Sequence, residues 1–188
     1  ANIWFGTNEP HVHASFHSGK PWTLNATANG GLAGQVEGVA FRNATNGIAW
    51  GLSAATNGIN NLARTSDGGA TWTAIATLTT NSTIGFNDFC AVPGANAFMS
   101  VGINKAQSGY VTSITGDDGN TWTVLENGIT NDVRMLQVQM IDTVSGWAGC
   151  FSDTTHPLGK NGMDRYMGPK ISVACPVSIT ASKTTVCS

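Results

Sequence analysis

The chain has 188 residues, of which 41% are apolar and 11% charged, with 23 glycines and a formal charge of −2. That length suffices for one well-buried core, and a glycine-rich, charge-poor balance suits short strands joined by many turns better than helices. The near-neutral charge offers no footprint for nucleic acid or an anionic membrane, and no apolar run is long enough to span a bilayer, so neither nucleic-acid binding nor direct membrane insertion is expected.

The first segment, Ala1-Asn2-Ile3-Trp4-Phe5-Gly6-Thr7, already reads as the interior of a β unit, which implies further residues upstream in the natural polypeptide. His11-Val12-His13 then places two imidazoles at alternate strand positions, with His17 following. A structural zinc site wants four ligands and a catalytic one at least three. These histidines are therefore read as solvated or hydrogen-bonded, and no metal or cofactor is expected.

A phrase now begins that returns at intervals of fifty residues, closing on Trp22, Trp72 and Trp122. Its copies are Ser15-Phe16-His17-Ser18-Gly19-Lys20-Pro21-Trp22, Thr65-Ser66-Asp67-Gly68-Gly69-Ala70-Thr71-Trp72 and Thr115-Gly116-Asp117-Asp118-Gly119-Asn120-Thr121-Trp122. Polar residues with Asp-Gly or Gly-Gly between strand-like runs make a turn in which glycine supplies positive φ and aspartate bonds nearby backbone. A tryptophan repeating every 40 to 50 residues or so marks an array of small antiparallel sheets. Strand pairs precede the later copies: Val39 to Phe41 with Gly47 to Gly51, Phe89 to Val92 with Ala97 to Gly102, and Val138 to Ile141 with Gly146 to Gly149. Another fifty-residue step would put a fourth phrase at Arg165 to Ser172, where the chain instead reads Arg165-Tyr166-Met167-Gly168-Pro169-Lys170-Ile171-Ser172.

The phrase resembles the Asp-box, or BNR repeat, S/T-x-D-x-G-x-T-W, of sialidase-type propellers and of the related propellers of photosystem assembly factors. The resemblance implies an all-β fold: a β-propeller of four-stranded antiparallel blades with Asp-box hairpins, present in part as about four blades over residues 1–169, the first and last incomplete. It assigns Ser15, Gly19 and Trp22, Thr65, Asp67, Gly69 and Trp72, and Thr115, Asp117, Gly119 and Trp122 to the turns that hold each hairpin, away from the central pocket. In the first copy His17 replaces the aspartate and Pro21 the threonine. Trp50 and Trp147 fall on the family's inner strand and are expected in the core, with Trp4 as a third copy of that position. Residues 170–188 read as a linker and the start of a second β module. Their alternation of small apolar and hydroxyl residues resembles the opening of bacterial immunoglobulin-like modules that follow propellers in long surface proteins.

Cys90, Cys150, Cys175 and Cys187 show no metal or redox spacing. Disulfides outside the cytoplasm are expected from their even count, Cys90 with Cys150 and Cys175 with Cys187 being one of three pairings, against buried free thiols as the alternative. The sequons at Asn25, Asn43 and Asn81, together with Asp142-Thr143-Val144 and Asp153-Thr154-Thr155, which resemble glycosylation sites on proteins exported by gliding bacteria, point outside the cell.

No catalytic residue is expected. Asp67, Asp117 and Asp118 belong to turns. Of the sialidase machinery, an arginine triad with an R-I-P phrase, there are only Arg42, Arg64, Arg134 and Arg165 without the phrase, and Tyr110 and Tyr166 are the only tyrosines. Asp88, Asp132, Asp142, Asp153 and Asp164 are unpaired candidates for a glycosidase acid or base. The expected role is a noncatalytic propeller segment of a secreted or cell-surface multidomain bacterial protein that meets a protein or glycan and continues into further domains. The alternative is a fragment of an exported Asp-box glycoside hydrolase whose catalytic groups lie largely elsewhere.

Overall fold

The computed structural model of the chain describes residues 1–9, 11–25, 32, 35–53, 59–75, 83–104, 109–128, 135–149 and 163–171. Four antiparallel sheets follow one another along it. Blade 1 holds β1 (Ile3–Gly6), β2 (Val12–Ser15) and β3 (Thr23–Asn25); blade 2 holds β4 (Gly38–Phe41), β5 (Gly47–Ser53), β6 (Ile59–Thr65) and β7 (Thr73–Ala74). Blade 3 holds β8 (Asp88–Val92), β9 (Ala97–Ile103), β10 (Tyr110–Thr115) and β11 (Thr123–Gly128); blade 4 holds β12 (Gln137–Met140), β13 (Gly146–Gly149) and β14 (Met163–Arg165). Strands within a blade pair only with their sequence neighbours, and the leading strands β1, β4, β8 and β12 adjoin in that order. The fold is thus an arc of β-propeller blades, each a short meander, and no helix occurs among the described residues.

The pleat explains why the blades stack. Successive side chains point to opposite faces of a strand, so an inner blade must be apolar on both faces to bury them against two neighbours. The strand β9, Ala-Phe-Met-Ser-Val-Gly-Ile, is buried along nearly its whole length. Phe98 enters the cluster shared with Ile48, Trp50 and Leu62 of blade 2, whereas Met99 and Val101 enter the cluster shared with Val138 and Met140 of blade 4. A third cluster joins Val12 of blade 1 to Ala49, Ala63 and Trp72 of blade 2.

Strand register makes the blades comparable residue by residue. Ser15, Thr65 and Thr115 pair with Ile3, Gly47 and Phe98 respectively, so these three occupy one position. The three strands of blade 1 therefore correspond to the second, third and fourth strands of blade 2. In blade 4 the amide of Tyr166 donates to the carbonyl of Gly146 at 2.8 Å, which sets Tyr166 in the place of Thr65. Trp4, Ile48, Met99 and Trp147 are equivalent on this register.

That equivalence corrects the reading of the inner-strand tryptophans. Trp50 lies two residues beyond the position that Trp4 and Trp147 share. It is buried on Phe89, with ring centroids 4.9 Å apart, and Gly38 leaves room for its indole, since a Cβ there would run into the ring. Trp147 is 38% exposed rather than packed in a core, because among the described residues no further blade lies on its side of blade 4.

Cys90 is a buried free thiol, and desolvation pushes its pKa up to about 12. It sits in the apolar cluster between blades 3 and 4, where a small weakly polar side chain packs as a hydrophobe. Cys150, Cys175 and Cys187 lie outside the described residues, as do Asp132, Arg134, Asp153 and all of the 170–188 segment except Lys170 and Ile171. Ile171 is buried in that same cluster, and its amide donates to the carbonyl of Thr143 at 2.9 Å.

Candidate functional site

Two groups of polar residues stand out, at opposite ends of the blades. The first is the set of corners following β2, β6 and β10. In blade 2 the Thr65 hydroxyl donates to Asp67 Oδ1 at 2.7 Å and accepts from the amide of Gly69 at 2.9 Å. The Asp67 carboxylate then accepts from the Thr71 amide at 2.9 Å and the Thr71 hydroxyl at 2.5 Å, and the Trp72 indole closes the loop on the Gly69 carbonyl at 3.1 Å. Blade 3 repeats the pattern with Thr115, Asp117, Gly119, Thr121 and Trp122. Gly69 and Gly119 hold φ of 93° and 88°, a region that side chains oppose.

The first copy keeps part of this. Ser15 Oγ accepts from the amides of Gly19 at 2.9 Å and His17 at 3.4 Å, but no carboxylate locks the end of the turn. Blade 4 builds its corner differently: the Tyr166 hydroxyl donates to the Pro169 carbonyl at 2.8 Å.

The corners of blades 2 and 3 are also joints to the preceding blade. The Trp4 indole donates to the Gly68 carbonyl at 2.9 Å, carrying blade 1 onto the corner of blade 2. Arg42 of blade 2 reaches the corner of blade 3 with a forked pair to Asp118, at 2.8 and 3.0 Å, and a third bond to Asn96 at 2.8 Å. Arg64 donates to Asn120 at 2.6 Å in the same corner. Both guanidiniums are thereby engaged within the fold.

Electrostatics follow from the geometry. Burial works against ionisation of Asp67, yet the hydroxyl and amide of Thr71, the Thr65 hydroxyl and the Ala70 amide outweigh it and hold the pKa at about 2. For Asp117 the balance has the same sign: burial raises it, and donors led by Thr121 prevail. A folded pKa below the unfolded one gives stability that is present above pH 4 or so and is lost as pH falls toward about 2. Wild-type protein is accordingly expected to lose stability between those values, and the Asp67→Ala variant to lose less over the same window, read from urea midpoints at each pH. At neutral pH Asp67→Ala should cost about 1–2 kcal/mol, the scale of charge-assisted bonds at a largely solvated site.

The second group lines an open depression of about 930 Å³ where the blades converge near the axis. It is formed by residues leading into or opening β4, β8 and β12 and by those just after β1, including Asn8, Gln35, Glu37, Asn87, Asp88 and Gln137. Asp88 is half-buried, and its Oδ2 accepts from the Val138 amide of the next blade at 2.9 Å. Desolvation raises its pKa, opposed by the Val138 and Phe89 amides. The Asn87 side-chain carbonyl is held by the Ile103 amide at 2.8 Å, and the Gln35 amide donates to Glu37 at 3.4 Å. Such a surface offers paired amide donors and acceptors with two carboxylates, the chemistry that grips a hydroxyl-rich or peptide-like ligand.

Strand β4 is flanked by Glu37, at this depression, and by Arg42, at the corner of blade 3, so the corners lie at the other end of the blades. The candidate carboxylates are likewise scattered. Asp88 lines the depression. Asp142 caps the turn after β12, accepting from the amides of Val144 and Ser145 at 2.8 and 2.7 Å, and Asp164 lies on the outer strand β14. The histidines also diverge: His13 stacks on Phe5, while His11 faces Glu9 at 3.6 Å. Glu37, Asn87, Asn8 and Gln35 were not singled out by sequence. Glu37 and Asn87 carry a positional signal, a polar residue directly ahead of β4 and β8, whereas Asn8 follows β1 and Gln35 lies further upstream of β4.

No family model and no curated protein matches the chain. Among solved structures it is similar to one described as "YCF48 bound to D1 peptide", at 15% identity over 79% of this chain with a TM-score of 0.45. The chain spans 36% of that structure's chain.

Proposed function

We propose that the chain is a noncatalytic propeller segment of the Asp-box kind, belonging to a secreted or cell-surface multidomain bacterial protein, with the axial depression as its recognition surface for a glycan or a protein loop. The observation that carries this reading is that the corner carboxylates and two of the arginines, Arg42 and Arg64, are engaged within the fold. The corner carboxylates are held by threonine and backbone donors, and Arg42 and Arg64 are tied to the neighbouring blade. The depression, by contrast, presents a side-chain amide from each of the four blades and carboxylates from blades 2 and 3, and loops on a rigid scaffold are where recognition residues concentrate. The few charged residues and the sequon at Asn43, exposed in its turn, agree with an extracellular setting.

A second reading, a fragment of an exported glycoside hydrolase, draws support from Asp88 alone: a half-buried carboxyl biased toward its protonated form is suited to general acid catalysis. One experiment separates the two. Wild type and Glu37→Gln/Asp88→Asn are tested on a glycan array and against chromogenic sialosides and glucosides. Array binding that falls at least tenfold in the double variant, without hydrolysis by either protein, is expected. Turnover by wild type that Asp88→Asn abolishes would establish the hydrolase reading instead.

A further inference from the structure

The hairpin turn between β4 and β5 carries the triplet Asn43-Ala44-Thr45, and all three residues are exposed. The turn is nonetheless fixed in place. The Arg42 amide donates to the Asn46 carbonyl at 3.1 Å, and the Thr45 carbonyl accepts from the Gly68 amide at 2.8 Å, which pins the loop against the corner of its own blade. It lies within blade 2, whose leading strand adjoins those of blades 1 and 3, so its exposure owes nothing to either end of the chain.

Asn43 is oriented by bonds to the residues that follow it. Its Oδ1 accepts from the amides of Thr45 at 2.9 Å and Asn46 at 2.7 Å, from the Thr45 hydroxyl at 3.1 Å and from the Asn46 side-chain nitrogen at 3.2 Å. Two backbone N–H donors decide which end of the carboxamide is oxygen, so Nδ2 is the end left outside this network. Replacing one of its hydrogens by a sugar therefore removes no bond that the turn makes.

We infer that Asn43 is an N-glycosylation site of the exported protein, an inference that rests on the extracellular setting proposed above. Asn-x-Thr with x other than proline is the acceptor pattern, and here it sits on a solvent-facing turn with its nitrogen free to react. In the transfer Nδ2 forms a bond to the anomeric carbon of a sugar carried on a nucleotide or lipid phosphate. The bond from that carbon to the phosphate oxygen breaks, the phosphate leaves with the electron pair, and one amide proton is released. The sugar then stands at the corner end of blade 2, opposite the axial depression, and leaves that recognition surface open.

The test is peptide mapping by mass spectrometry of the protein recovered from the medium and surface of its producing cells, and separately from their cytoplasm. Outside the cell, the peptide holding Asn43 is expected to carry added hexose or N-acetylhexosamine. The addition is expected to vanish in Asn43→Gln and Thr45→Ala and to persist in Thr45→Ser, each expressed in the same cells; the wild-type map decides alone should a variant fail to fold. Protein outside the cell with Asn43 bare, including protein modified only at Asn25 or Asn81, overturns this inference and leaves the setting intact. Protein confined to the cytoplasm overturns the setting, and the inference with it.

Discussion

Truncating Trp72 to alanine is expected to destabilise the protein by about 3–5 kcal/mol, the range for large aromatic side chains removed from a core, read as a fall in the urea midpoint at constant slope. The ring sits between blades 1 and 2 among Val12, Ala49 and Ala63, edge-on to Phe41 at 6.0 Å, with its N–H bonded inside the corner. Its loss removes packing on both sides and also leaves the Gly69 carbonyl without its donor. The same change at the two equivalent positions should cost less. Trp122 is only half-buried, though edge-on to Phe89 at 5.7 Å, and Trp22 is open to solvent on its outer side. The expected order of destabilisation is therefore Trp72, Trp122, Trp22. Equal losses at all three would contradict the assignment of the first to an inner joint and the last to an open face.

The second large effect concerns a residue far from any repeated phrase. Replacing Arg42 with alanine is expected to cost about 2–3 kcal/mol, since it removes a forked charge-assisted pair and leaves Asp118 and Asn96 without their donor. The guanidinium is 12% exposed and the carboxylate 28%, enough shielding for the pair to exceed the usual worth of a surface ion pair. Lysine at this position is expected to recover less than half of the loss, because a point charge cannot fork across both carboxylate oxygens and the asparagine. Urea unfolding of Arg42→Ala and Arg42→Lys beside wild type measures both.

Much of the scaffold was legible in the chain, for a reason tied to distance. Thr65, Asp67, Gly69 and Thr71 bond one another within a few residues, so their chemistry is written in consecutive letters, and the leading strand pairs of blades 2, 3 and 4 announce themselves by apolar runs on either side of a turn. What was not legible depends on partners distant in sequence. Arg42 meets Asp118 across a separation of 76 residues, and no local pattern marks either one for the other. The axial depression likewise gathers Asn8, Gln35, Asn87 and Gln137 from separate repeats, each an ordinary polar residue in its own setting. The corner of blade 4 escaped because it uses a tyrosine hydroxyl and a proline carbonyl where the repeat uses threonine and aspartate. Trp147 looked like a core residue since its register is one that the other blades bury. Its exposure depends on what packs against that face of blade 4 and not on the strand's own pattern, and among the described residues no further sheet follows blade 4.

The measurement that bears most directly on the corners as joints between blades is a double-mutant cycle between Arg42→Ala and Asp118→Ala, with stability taken from urea unfolding. A coupling of about 1.5–3 kcal/mol is expected, as for groups in one bonded network. Losses that simply add, leaving a coupling near zero, would contradict a corner that holds blade 3 onto blade 2.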